Sequence, residues 1–100
     1  MLPQVRVFGV QATGAPGMHI YHMHDKLMDS RFASTFADGI AVRRPGKVTI
    51  DITEQYVDDI ITVDDEEIVG EIILLLERSK IVAEGAGAVG LASLLGKKVH

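Results

Sequence analysis

The chain has no cysteine and no tryptophan among its 100 residues, three prolines, and only five aromatic side chains. Without cysteine there are no disulfides, no thiolate metal sites and no thiol nucleophile. This fits a reducing compartment such as the cytosol without requiring one. With so few aromatics, the core has to be built from Ile, Val, Leu, Ala and Met. Basic charge is scarce as well: ten Lys and Arg stand against fourteen Asp and Glu, a formal net charge of −4. Phosphate backbones require clustered cations, and adjacent basic pairs occur only at Arg43-Arg44 and Lys97-Lys98. No nucleic-acid partner is expected. Apolar runs reach only the length of Ile72 to Leu76, far below the roughly 20 residues of a membrane span. The opening Met-Leu-Pro-Gln-Val-Arg carries no apolar signal core. No membrane partner is expected, and the location expected is cytoplasmic.

What is present is ordinary globular material: 47% hydrophobic and 24% charged residues, in a length that makes one small domain or a part of a larger one. Val5 to Val10 is β-branched and apolar on nearly every residue, as a strand covered on both faces would be. Such a strand so near the start, and Lys97-Lys98-Val99 reading as the opening of another strand, suggest a chain cut from a larger fold. Gly14, Pro16 and Gly17 mark a turn, with a helix expected over 18–27. Residues 29 to 47 lack clear periodicity, a pattern often functional in compact domains. Val48 to Tyr56 reads as a short strand or a helix entry, with Thr53 as the N-cap of a turn through Val57, and Ile60 to Val63 as a β-rich run. Asp64 followed three residues later by Glu67 is a capping-box variant. Ile68, Ile72, Leu75 and Leu76 then recur at helical spacing, predicting a helix over 65–79. A small-residue helix continues through Leu91 to Leu95.

Several groups of residues invite a chemical reading. Gly85, Gly87 and Gly90 have the G-x-G-x-x-G spacing of a dinucleotide loop. No acidic residue follows within the ten residues after Gly90, and small residues equally serve close packing of a helix. Glu84, just ahead of them, sits where a helix dipole favours a carboxylate. It either faces a ligand or caps the helix, and the cap is the favoured reading. His19, His22 and His24 crowd one segment, but on a helix only the first two share a face, so solvated histidines are expected rather than a zinc site. Met18, Met23 and Met28 read as gap-filling core. Asp58-Asp59 and Asp64 to Glu67 lack the alternation and glycine of a calcium loop and read as a cap plus a solvated face. The guanidinium groups of Arg43 and Arg44 either grip a carboxylate or phosphate or lie in water, and composition does not decide.

Taken in order, Gly9-Val10-Gln11-Ala12, Ala37-Asp38-Gly39-Ile40-Ala41-Val42 with Arg44-Pro45-Gly46, and Tyr56-Val57-Asp58-Asp59-Ile60 resemble the threonine dehydratase (threonine ammonia-lyase) family. Leu74-Leu75-Leu76-Glu77-Arg78 and Val82-Ala83-Glu84-Gly85-Ala86-Gly87-Ala88 extend the resemblance over essentially the whole chain. It implies an α/β fold, a partial three-layer parallel-sheet subdomain of a fold-type II pyridoxal phosphate enzyme, similar to serine racemase and the tryptophan synthase β subunit. Residues 1–100 are then one piece of the large cofactor-binding domain, without a second domain.

The resemblance further implies a parent lyase using pyridoxal phosphate to convert L-threonine, and often L-serine, to a keto acid and ammonia. The family's Schiff-base lysine and substrate-carboxylate loop have no counterpart here, nor have its phosphate loop and the residue that faces the pyridine nitrogen. Lys26, Lys47, Lys80, Lys97 and Lys98 match no such lysine. No catalytic residue is therefore assigned, and the isolated chain is expected to be inactive and to hold no cofactor covalently. Gly39 matches backbone lining the cofactor pocket, and Glu84 the glutamate beside the pyridine ring. Gln11, Ala15 and Gly17 match the cation ligands of the racemases; with the carboxylates gone, no metal site is expected. Two rival readings are a non-catalytic, self-associating assembly module and a small dinucleotide-binding domain. Exposed strand edges make homo-oligomers the expectation.

Overall fold

Two short strands pair in parallel, β1 (Phe8–Ala12) and β2 (Asp59–Val63), in a register running from Phe8 opposite Asp59 to Ala12 opposite Val63. The computed structural model describes residues 4–24 and 33–98. Pairing starts later than the apolar run suggests, because Val5 and Arg6 are exposed. The Asp58 carboxylate accepts the Val7 N–H at 2.6 Å and so closes the ladder at that end. Arg6 turns back to lay its guanidinium over the Phe8 ring, 4.7 Å from the centroid. Parallel strands need a long crossover, and here it contains α1 (Gly17–His24), a 3-10 turn at Asp38–Ile40 and α2 (Lys47–Tyr56).

The ambiguity at 48–56 resolves as helix. Gly46, extended and following the buried Pro45, is the N-cap, and the Ile50 N–H bonds to its carbonyl. Thr53 does not start a turn of its own as N-cap; it lies in the last turn of this helix, where its carbonyl accepts the Val57 N–H. The β-branched composition opposes a helix, but helical geometry alone brings Ile50 onto Met18 and Ile60, with Tyr21 and Val57 around them. Met18 is thus core as expected, whereas Met23 is exposed and Met28 lies outside the described residues. The expected end of α1 at 25–27 also lies outside them.

The helix predicted over 65–79 is present with those bounds as α3 (Asp65–Ser79). Asp64 Oδ1 accepts the Glu67 N–H at 2.8 Å and Glu67 Oε1 accepts the Asp64 N–H at 3.2 Å, the reciprocal capping box. The helix ends on Lys80 in the left-handed conformation, φ 56°. After an extended stretch comes α4 (Gly85–Leu95). Gly96 and Lys97 then turn, and the Lys98 N–H returns to the Ser93 carbonyl. Lys97 thus lies in the turn that ends α4, and the strand expected to open at Lys97-Lys98-Val99 falls mostly outside the described residues. Val99 lies outside the described residues.

The principal core is small-residue packing: Ala12, Ala37, Val63, Ile68, Ala88 and Ala92 are all buried, with Val10, Ile40, Ile72 and Val89 against them. Alanine at these points lets α4 approach the sheet and the 3-10 turn closely. Apolar surface is also left outside. Val48, Ile52 and Tyr56 line one side of α2, and Val69, Ile73 and Leu76 one side of α3, all exposed. No helix among the described residues is long and apolar enough to cross a membrane.

Candidate active-site wall

The extended residues before α4 deliver Glu84 to the N-cap, where its Oε1 accepts the Gly87 N–H at 2.9 Å. The cap reading of this residue is thus correct, and it also has a second face. The 3-10 turn lies across the start of α4. A Cβ built on Gly39 would stand 3.0 Å from the Ala86 Cβ and 3.7 Å from Glu84 Oε2. Gly39 and Glu84 are therefore neighbours although 45 residues apart in sequence. Gly85 permits the approach: a Cβ there would meet the Ala37 Cα at 3.0 Å and Phe36 Cζ at 3.1 Å. The G-x-G-x-x-G glycines are the first turns of a helix packed on a loop, not an open phosphate loop.

The loop ahead of Gly39 is tied on both sides. The Ser34 N–H bonds to the Gly14 carbonyl, and at Gly14 a Cβ would fall 1.6 Å from the Ser34 oxygen. On the other side the Asp65 carboxylate accepts from Thr35 Oγ1 at 2.5 Å and from the Phe36 N–H at 3.2 Å. Neither Thr35 nor Asp65 stands out in the sequence. The acidic run Asp64 to Glu67 reads as a helix cap, and only the fold separates Asp64, which caps, from Asp65, which reaches the loop.

The other singled-out residues lie apart from this wall. Gln11 Oε1 accepts the His19 N–H at 2.8 Å, and the Ala15 N–H bonds to the Ala12 carbonyl. Gly17 packs on Pro45. His19 is not solvated: half-buried, it donates Nδ1–H to the Ile60 carbonyl at 2.7 Å. His22 Nε2 lies 3.5 Å from Asp59 Oδ1, and His24 is exposed. No group of three metal-ligating side chains forms among the described residues. Arg44 lines a broad depression of about 810 Å³ with Tyr21, Lys47 and Asp51; neither Gly39 nor Glu84 borders it.

Compared with known proteins, residues 1–100 match the model of the family described as pyridoxal-phosphate dependent enzyme. The chain belongs to that family. Within it, the chain is 44% identical over 97 residues to L-threonine ammonia-lyase of Thermotoga maritima, a match covering 97% of the chain and 24% of that protein. It is 41% identical over 97 residues to the catabolic L-threonine dehydratase TdcB of Escherichia coli K12, covering 97% of the chain and 30% of that protein. Among solved structures, a T.th. threonine deaminase superposes with a TM-score of 0.91 at 29% identity, over 98% of the chain and 36% of that protein. Maize serine racemase gives 0.89 at 30% identity, over 96% and 30%. The chain thus spans about a quarter to a third of these relatives, and its fold is the α/β, parallel-sheet fold of the fold-type II pyridoxal phosphate enzymes.

The residues present fit one side of that cofactor. Glycine at 39 lets the turn pack on Ala86, and its exposed backbone is what a flat ring would meet. The Glu84 cap occupies Oε1 and leaves Oε2 beside Gly39. Among the described residues, no lysine atom is within 4 Å of the Cβ built on Gly39. Lys80 Nζ donates to the Glu77 carbonyl and Lys98 pairs with Glu67. Lys47 opens α2, Lys97 follows α4, and Lys26 lies outside the described residues.

Proposed function

We propose that this chain is one wall of the cofactor site in the large domain of a dehydratase acting on L-threonine, and on L-serine as well. The observation that carries the reading is the meeting of Gly39 with Glu84, at the positions where the family places pocket backbone and the glutamate beside the ring. Bound pyridoxal phosphate supplies an electron sink for the pair released when the substrate loses a proton. In this chain Gly39 offers backbone to the flat face or edge of the ring. Glu84, fixed by its bond to Gly87, holds a carboxylate at the ring and keeps that side closed to water. The names of the threonine-acting relatives support the substrate. The part the chain plays is binding and orientation, so alone it holds no cofactor covalently and does not turn over threonine. The role fits amino-acid metabolism in the cytoplasm, with no nucleic-acid or membrane partner.

A second reading, a self-associating module, is favoured by one observation. The exposed stripes on α2 and α3 and the two-stranded sheet leave apolar surface that water disfavours. In a whole enzyme the rest of the fold would cover such surface; in the isolated chain copies of itself would, giving a homo-oligomer.

The two readings part in a segment exchange. The matching 97 residues of the Thermotoga relative are replaced by this chain, and keto-acid release from threonine is measured. A working chimera supports the wall. A folded, cofactor-free chimera together with a stable oligomer of the chain alone supports the module.

A further inference from the structure

We infer that Asp65 is a positioning residue for the Gly39–Glu84 wall, acting through Thr35, and this rests on the reading of that wall given above. Asp65 is the first residue of α3, yet α3 does not need it: the cap is complete with Asp64 and Glu67. Its two oxygens are spent outside the helix. Oδ1 takes the Thr35 hydroxyl and Oδ2 the Phe36 N–H. Thr35 Oγ1 in turn accepts the Ala37 N–H at 3.2 Å, so one hydroxyl passes the hold on to the next residue. Ala37 is fully buried beside Gly85, and its carbonyl accepts the Ile40 N–H that closes the turn carrying Gly39.

The chain of contacts is thus Asp65, Thr35 and Phe36, Ala37, then Gly39 against Ala86 and Glu84. To the Ser34–Gly14 hydrogen bond and the burial of Ala37, this adds a charge-assisted pair at a helix N-terminus, where a carboxylate is favoured. Because Gly39 packs on Ala86 with no room for a Cβ, lifting the loop by even an ångström shifts the backbone that the cofactor would meet.

Thr35→Val removes the hydroxyl at constant volume, and Thr35→Ser restores it. In the 100-residue chain, Thr35→Val is expected to lower hydrogen-exchange protection of the Phe36, Ala37 and Ile40 amides about tenfold, as one lost hydrogen bond would. The β1–β2 amides stay unchanged and Thr35→Ser recovers the loss. In the segment-exchange chimera the same valine is expected to raise the dissociation constant for pyridoxal phosphate about tenfold, with serine near the parent. Asp65→Ala should reproduce both effects; if it does not fold, the Thr35 pair carries the test alone. Unchanged protection at 36–40, or loosened amides with unchanged cofactor affinity, overturns the positioning role. Gly39→Val separates the two claims. If it weakens the cofactor and Thr35→Val does not, the role of Asp65 fails while the wall stands. If neither weakens it, the wall reading has failed.

Discussion

Gly39 faces Ala86 across a gap that leaves no room for a side chain, its virtual Cβ lying 3.0 Å from the Ala86 Cβ. The glycine is needed for space, since its backbone is not in the left-handed region. Gly39→Ala should therefore cost the isolated chain only about 1 kcal/mol, the neighbour yielding by a few tenths of an ångström. Urea unfolding measures this. A cost above about 3 kcal/mol would mean the turn cannot yield.

Glu84 has two separable tasks. Glu84→Gln keeps a carbonyl oxygen for the Gly87 N–H and should change stability by less than about 0.5 kcal/mol, whereas Glu84→Ala loses the cap and should cost about 1 kcal/mol. In the segment-exchange chimera both variants should disturb the bound cofactor, because both remove the charge. Thermal melts and cofactor absorbance read the two effects independently.

Two glycines outside the wall should respond in opposite directions. At Gly14 a Cβ would overlap the Ser34 carbonyl, while at Gly70, exposed within α3, it meets nothing within 4 Å. Gly14→Ala is expected to destabilise by about 3 kcal/mol or to prevent folding. Gly70→Ala should stabilise by roughly 0.5–1 kcal/mol through helix propensity. Denaturant midpoints of the two variants should fall on either side of the parent.

The features legible in the sequence are those set by near neighbours. Asp64, Glu67, Ile68 and Ile72 lie within two helical turns, so α3 could be read directly with its cap. Segment 47–56 could not, because Val48, Ile50, Ile52 and Thr53 favour strand while the deciding contacts, Ile50 on Met18 and Ile60, are tertiary. His19 reads as a surface residue until β2 places the Ile60 carbonyl against it. At the wall, Glu84 reads as a cap, but nothing in spacing or composition joins it to Gly39; only the family resemblance names both. Asp65 does not stand out because its acidic neighbours give the same signal.

Glu71 is 6% exposed, and its Oε2 has no hydrogen-bond partner among the described residues. A buried, unpartnered polar group is costly. Glu71→Met, similar in length and apolar, should stabilise the isolated chain by about 1–3 kcal/mol. Loss of stability in urea would instead reveal a partner for that oxygen.

The most direct test uses the isolated chain. Pyridoxal phosphate is added in excess, the mixture is dialysed, and the cofactor remaining with the protein is measured by absorbance. The expected result is complete loss, with no keto acid formed from added threonine, because no lysine of the chain matches the family's Schiff-base lysine. Stoichiometric retention at a single lysine, or keto-acid release by preparations free of host enzyme, would contradict the account.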